Sequence, residues 1–398
     1  MPPRRLNDML GIAASTIVHP AGHGAAALWQ AVSRGESALR SGAVDWCELP
    51  CWLGAVPGVD DDAQFAHLGA WDCRNLRLAW LALRDRAFAD AVTAAVAAHG
   101  AARVGLVLGT STSGIRSTEV AYGARKGDGQ WPANFDYRRH HSLDALCRYT
   151  AQTLGVEGPM ATISTACSSS AKVFLTAQRW IEAGLVDAAV VGGADSLCLS
   201  TLHGFDSLQL LSDDVCRPFD AGRKGISIGE AAGFALLTRA PSRIVFAGGG
   251  ESSDAWHMST PHPEGRGAQA AMQMALDAAG LRASDVGYVN AHGTATPAND
   301  SSESAALRAV FGAGTVPVSS TKGVTGHTLG AAGIVEALVS VLALEHQALP
   351  PSANLREADD QLGVNVVKQG AAAPIRHAMS NSFGFGGSNC SLVFSRAD

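Results

Sequence analysis

The sequence predicts an α/β fold in which one strand-and-helix plan runs twice. Short, continuous apolar runs bounded by small or turn-forming residues read as buried strands. Between them lie longer stretches whose apolar residues recur at helical spacing. This alternation spans residues 1–240 and starts again over 241–398, with no obvious sequence repetition between the two halves. The 44 glycines are dispersed, which points to tight turns and close backbone approaches, not low-complexity sequence. Strands alternating with helices give sheets covered by helices.

In order, Leu10 to Thr16 reads as a first strand and Ala25 to Val32 as a helix. Residues 41–66 are loop-like, rich in Gly, Pro and Asp. Asn75 to Ala98 is Ala- and Leu-rich and reads as one helix ending before Gly100. Arg103 to Leu108 is a buried strand, followed by a small-residue turn to Gly114. Residues 115–140 read as polar and irregular, and Leu143 to Leu154 as a helix. Met160 to Ala166 is a strand, followed by a helix marked by Ala171, Val173, Phe174, Ala177, Trp180 and Ile181. Asp187 to Gly193 is a strand, 203–222 a long loop, and Gly233 to Thr238 the strand closing this half. The second half offers strands at 244–249, 286–290, 316–319, 364–367, 378–382 and 390–394, with helices at 269–279, 300–311 and 329–346. Asp300 with Glu303 has capping-box character for the helix it opens.

A chain of 398 residues can bury a large core, and 47% apolar with 17% charged residues is a globular composition. A net charge of −6 argues against a general nucleic-acid binder. No membrane span and no signal peptide are expected, and the eight scattered cysteines fit a reducing, cytoplasmic setting. Cys47 and Cys51 have a loose C-x3-C spacing with no second ligand pair, so no metal site is expected.

The chemistry collects at strand ends. Cys167, in Thr165-Ala166-Cys167-Ser168-Ser169-Ser170, sits where a strand turns into a helix. The partial positive charge there favours a thiolate, and unpaired N–H groups can hold an oxyanion. A buried structural thiol fits this stretch alone equally well. Asn290-Ala291-His292-Gly293-Thr294-Ala295-Thr296 places an imidazole and two hydroxyls just past a strand. Thr321-Lys322-Gly323-Val324-Thr325-Gly326-His327 places an ammonium and a second imidazole on one turn. Asn381 to Asn389 contains Phe383, Phe385 and three glycines, which expose backbone N–H groups. A structural histidine, a solvated lysine or a sharp turn would explain each singly. Together they form a set for thioester chemistry: thiolate attack, oxyanion stabilisation, and two imidazoles for an enolate.

In this order, with Arg217-Pro218-Phe219-Asp220 and Ser253 to Met258, these stretches resemble the β-ketoacyl-acyl-carrier-protein synthases. The resemblance spans about residue 100 to the C-terminus and is to the elongating branch, with a Cys-His-His triad. It implies the thiolase fold, five layers in an αβαβα arrangement from two similar halves, and a dimer. It implies that Cys167 takes the acyl chain from an acyl carrier protein. His292 and His327 would then assist decarboxylation of the malonyl thioester, with Lys322 orienting them and Glu336 as its partner. The N–H groups of Cys167 and Phe385 would form the oxyanion hole, with Phe385 as gate. Thr294, Thr296 and Phe383 would contact the substrate or its phosphopantetheine arm, which arrives on the carrier, so no resident cofactor is implied.

Carrier proteins are acidic, so Arg74, Arg77, Arg125 and Lys126 are candidates for docking, with ordinary solvated surface as the alternative. The three serines after Cys167 resemble polyketide-type enzymes, and Ala231 stands where the family commonly has Gly. A specialised pathway, such as an aryl-polyene or type II polyketide system, is therefore an option beside fatty-acid elongation. Enzymes of that kind often pair with a Cys-less chain-length-factor homologue. The alternatives are a coenzyme A thiolase, which needs a second cysteine such as Cys390 as base, and a non-catalytic chain-shaping subunit, against which Cys167 argues.

Overall fold

The N-terminal strand is where the two halves of the chain are joined. The computed structural model describes residues 9–125, 127 and 129–397. Strand β1 (Leu10–His19) pairs on one side with the last strand of its own half. On the other side Leu10 and Gly11 pair with Phe246 and Val245 of the second half.

The first half continues through α1 (Ala25–Arg34), α2 (Arg74–Leu83), α3 (Arg86–His99), β2 (Val104–Gly109), α4 (Ile115–Gly123) and α5 (Ala145–Leu154). It closes with β3 (Met160–Ile163), α6 (Ser169–Glu182), β4 (Ala188–Asp195), α7 (Leu199–Ser207) and β5 (Ala231–Thr238). The second half runs β6 (Ile244–Ser253), α8 (Arg266–Ala279), β7 (Tyr288–Asn290), α9 (Pro297–Phe311), β8 (Pro317–Ser319) and α10 (Ala332–His346). Strands β9 (Asn365–Val366), β10 (His377–Gly384) and β11 (Ser388–Arg396) complete it.

Strand order is β3-β2-β4-β5-β1 in the first half and β8-β7-β10-β11-β6 in the second, with β9 added outside β8. Both read third, second, fourth, fifth, first. In both, the first three of these strands run parallel and the remaining two are antiparallel. The repetition that is not obvious in the sequence is explicit in the topology.

The buried runs still alternate by face. Val107, Ala189 and Val191 point into one core cluster, and Leu106, Leu108, Ala188 and Val190 into another. The first cluster contains α6 and α10 together with strand residues from both halves. Helices α2, α3 and α5 cover the far face of the first sheet, and α8 and α9 the far face of the second. The layers are therefore αβαβα, the five-layered thiolase arrangement that the resemblance implies.

Several local expectations change. The stretch 75–98 is two helices, because Asp85 caps a new one by accepting the Phe88 N–H at 3.0 Å. Residues 115–140 hold α4 and a turn at Tyr137–His140, capped by Asp136. Helix α7 occupies the start of the 203–222 loop. No capping box forms at Asp300 and Glu303. Helix α9 begins at Pro297, capped by Thr296, and both carboxylates point into the core. The 329–346 stretch opens as a 3₁₀ turn and is long and apolar enough to span a membrane. However, 89% of it is buried inside the protein, so this is the central core helix.

Helices α6 and α10 approach so closely that a Cβ on Gly333 would lie 2.3 Å from the Ala171 nitrogen. We predict that Gly333→Ala lowers stability by about 1–3 kcal/mol through overpacking. Denaturant unfolding checks this, and an unchanged midpoint would contradict the packing described.

Candidate active site

The turn between β3 and α6 is built by the residues around the thiol. Ala166 takes a left-handed conformation, with φ 51°, a costly backbone state for a residue with a side chain. The serines hold it there. Ser169 Oγ accepts the Thr165 N–H at 2.9 Å and donates to the Ala166 carbonyl at 2.6 Å. Ser168 Oγ donates to the Thr165 carbonyl at 2.9 Å. Ser170 Oγ accepts the Ile334 N–H at 2.9 Å, tying α6 to α10.

Cys167 thereby enters a pocket of about 100 Å³, 6% exposed itself. Its Sγ lies 2.8 Å from His327 Nε2, and the His292 ring meets the His327 ring edge to face at 5.2 Å. The Phe385 N–H donates toward the sulfur. Burial pushes the thiol up to about 12, with the Lys322 charge pulling the other way. Burial thus opposes the thiolate that the helix N-terminus is expected to favour. Burial also lowers both imidazoles well below their usual range, so both rest neutral. A neutral His327 can offer Nε2 as an acceptor within reach of the thiol proton.

Lys322 organises the second imidazole. Its Nζ donates to the His292 carbonyl, lies 3.3 Å from His292 Nδ1, and pairs with Glu336. An ammonium facing Nδ1 leaves the single proton of the neutral ring on Nε2. Glu336 Oε2 also accepts from Ser382 Oγ at 2.8 Å. Lys322 and Glu336 are almost fully buried.

Two carboxylates that sequence reasoning missed support this frame. Glu303 accepts the N–H groups of His292 at 2.9 Å and Gly293 at 2.8 Å, and Asn381 Nδ2 donates to it at 3.2 Å. Burial raises it to about 7. The signal was present: Asp300 and Glu303 share the i, i+3, i+7 face of α9 with core residue Leu307. Asp195 accepts from Thr110 Oγ1 at 2.6 Å and from the N–H groups of Thr112 at 2.9 Å and Gly330 at 2.5 Å. It joins the turn after β2 to the segment carrying His327.

Thr294 and Thr296 line the pocket with hydroxyl oxygens 2.9 Å apart. The Phe383 ring lies 6.0 Å from His292, and the half-exposed Phe385 ring lies 5.4 Å from Phe205 at the pocket wall. Cys390 lies in the core around α6 and α10, apart from the described pocket lining, and offers no second thiol to the site.

The docking arginines separate. Arg74 is buried, donating to both oxygens of Glu230 at 2.7 and 2.8 Å and pairing with Asp60, so it is a structural residue. Arg77 is likewise held by Asp72 and Asp62. Arg125 is exposed, and Lys126 lies outside the described residues.

The sulfur and imidazole nitrogens of Cys167, His292 and His327 lie within 4.8 Å of one another, donor types that also bind zinc. The Lys322 charge beside His292 opposes a cation there.

The chain matches the models of the beta-ketoacyl synthase N-terminal domain over residues 62–242 and C-terminal domain over 244–356. It is 37% identical to the 3-oxoacyl-[acyl-carrier-protein] synthase 2 of Vibrio cholerae, over 75% of this chain and 77% of that protein. It is 37% identical to Nodulation protein E of Rhizobium meliloti, over 74% and 76%. Among solved structures, one is of a ketosynthase (ApeO) in complex with its chain length factor (ApeC) from Xenorhabdus doucetiae. A chain in it matches with TM-score 0.87 and 40% identity over 100% of both chains.

Removing Lys322 leaves Glu336 as an uncompensated buried charge. We predict that Lys322→Ala costs about 3–5 kcal/mol, whereas the double variant Lys322→Met with Glu336→Leu recovers most of that stability. Denaturant unfolding of both variants tests this, and a single variant as stable as the parent would contradict the buried pair.

Proposed function

This chain belongs to the beta-ketoacyl synthase family of carbon–carbon bond-forming acyltransferases, and we propose how its residues divide the condensation of an acyl chain with malonyl-acyl carrier protein. The carrying observation is the contact at 2.8 Å between the Cys167 thiol and a neutral imidazole, beside a second imidazole oriented by Lys322.

In the first half-reaction His327 Nε2 takes the thiol proton as Sγ attacks the carrier thioester carbonyl. The oxyanion accepts hydrogen bonds from the N–H groups of Cys167 and Phe385. Its collapse forms the Cys167 thioester and expels the carrier thiolate, which receives the proton. Among the described residues His327 Nδ1 has no hydrogen-bond partner, and this ring is free to take either tautomer. In the second half-reaction the malonyl carboxylate leaves as carbon dioxide. The electron pair passes to the thioester oxygen as an enolate, stabilised by His292 Nε2–H and His327 Nε2–H. The enolate carbon attacks the Cys167 thioester, and the sulfur departs as a thiolate that takes one proton from solvent to regenerate the thiol. Thr294, Thr296 and Phe383 contact the pantetheine arm and the chain, Phe385 gates entry, and no resident cofactor takes part.

We further propose that the chain divides near residue 240, the first half carrying the nucleophile and the second both imidazoles. A cytoplasmic setting fits an enzyme supplied by carrier-bound substrates, with Arg125 on a face open to an acidic carrier. A specialised pathway and a chain-length-factor partner are supported by the full-length match to the ketosynthase–chain length factor structure.

The test is intact-protein mass spectrometry after incubation with acyl-carrier-protein thioesters. The parent should gain one acyl mass and Cys167→Ala none; acylation of the variant would remove Cys167 as nucleophile. For His327→Ala, carbon dioxide release from malonyl thioester should fall by about 10²–10⁴-fold with thermal stability retained. Unchanged release would remove His327 from the second half-reaction.

A further inference from the structure

Helix α7 carries Phe205, the ring that faces Phe385 across the pocket, yet it begins without a cap of its own. Its N-cap position is Cys198, whose side chain bonds Thr201 and makes no capping hydrogen bond. The first N–H groups of a helix need acceptors, and an anion placed there also meets the positive end of the helix dipole. Glu119, some eighty residues earlier in sequence on α4, supplies both. Its Oε2 accepts the Leu199 N–H at 3.0 Å and its Oε1 the Ser200 N–H at 2.6 Å.

Glu119 is itself fixed. Arg116, one turn earlier on α4, lies 3.3 Å from Oε2, and its guanidinium stacks 4.2 Å above the Trp46 ring. Trp46 and Phe205 pack against the same apolar cluster, which includes pocket-wall residue Ile226. The carboxylate is 14% exposed, so its contacts are only weakly screened by solvent.

We propose that Glu119 is a positioning residue for acyl-chain selection: by capping α7 from α4 it holds Phe205 against the pocket and limits the chain that Cys167 accepts. Phe205 and Phe385 line the same pocket as Cys167, with their ring centroids 5.4 Å apart. A long chain on Cys167 must pass these rings or displace them, whereas a two-carbon acetyl group makes the smallest demand on them. The inference rests on the acyl-thioester reading of Cys167.

The experiment measures Cys167 acylation rates by intact-protein mass spectrometry, with acetyl- and decanoyl-acyl carrier protein in parallel. In Glu119→Ala the decanoyl-to-acetyl rate ratio should rise about fivefold or more, the factor expected for losing a helix cap. Phe205→Ala should raise the ratio similarly, and adding Glu119→Ala to it should raise it no further. Glu119→Gln, which keeps an acceptor and the side-chain shape, should restore most of the parental ratio; this variant, compared with Phe205→Ala, decides the matter if Glu119→Ala does not fold. A ratio that is unchanged or falls, equal slowing with both chains, or additive effects of the two alanine variants would each overturn the proposal. Failure of the parent to acylate with either chain would instead overturn the function of Cys167.

Discussion

A lysine ammonium sealed inside a protein is the constraint to which the rest of this site answers. Lys322 is almost fully buried, and such a charge persists only when every donor finds an acceptor and an opposite charge lies close by. The acceptors come from two separate elements: the carbonyl and the imidazole of His292, just after β7, and the carboxylate of Glu336 on α10. Satisfying the lysine therefore fixes His292 relative to the central helix. Because Glu336 also takes the Ser382 hydroxyl, strand β10 is drawn into the same arrangement. The element that positions the second imidazole also fixes its tautomer.

The duplicated topology explains why such a site can exist. Each half ends its parallel strands on the same side of its sheet, and the two sheets sandwich α6 and α10. The first half delivers the thiol at the start of α6, and the second delivers both imidazoles from turns after β7 and β8. Glycine at Gly333 lets the two central helices touch, and Ser170 pins one to the other. The distance from sulfur to imidazole is thus set by how the two halves pack on each other. Burial has an electrostatic consequence. It raises the thiol and lowers both imidazoles, so that each of the three groups is pushed toward its uncharged form.

Buried carboxylates recur as fasteners through the molecule. Asp195 and Glu230 accept backbone N–H groups from segments distant in sequence, Glu303 from the turn that precedes its own helix, and Glu119 from a helix some eighty residues on. In each case a turn or helix start that lacks its own cap gains an acceptor from elsewhere in the chain. Glu303 in this way holds the turn that places His292 and Thr294 in the pocket.

The sequence by itself determined the fold class and the composition of the site. Strand and helix periods follow from which face of an element is buried, and that pattern is local. The clustering of Cys167, His292, Lys322 and His327 at strand ends is legible for the same reason. What it left open depended on contacts between distant segments. The periodicity over 75–98 is continuous, yet Asp85 starts a second helix there because its carboxylate finds the Phe88 N–H. Arg74 looks like an ordinary surface cation until Glu230, far along the chain, comes to face it in the core. Asp300 and Glu303 have the spacing of a cap, but tertiary structure turned them inward to hold the turns around His292 and Phe219. The protonation of the thiol was decided in the same way. A helix N-terminus is visible in sequence, whereas the burial that opposes it exists only after both halves have packed around the sulfur.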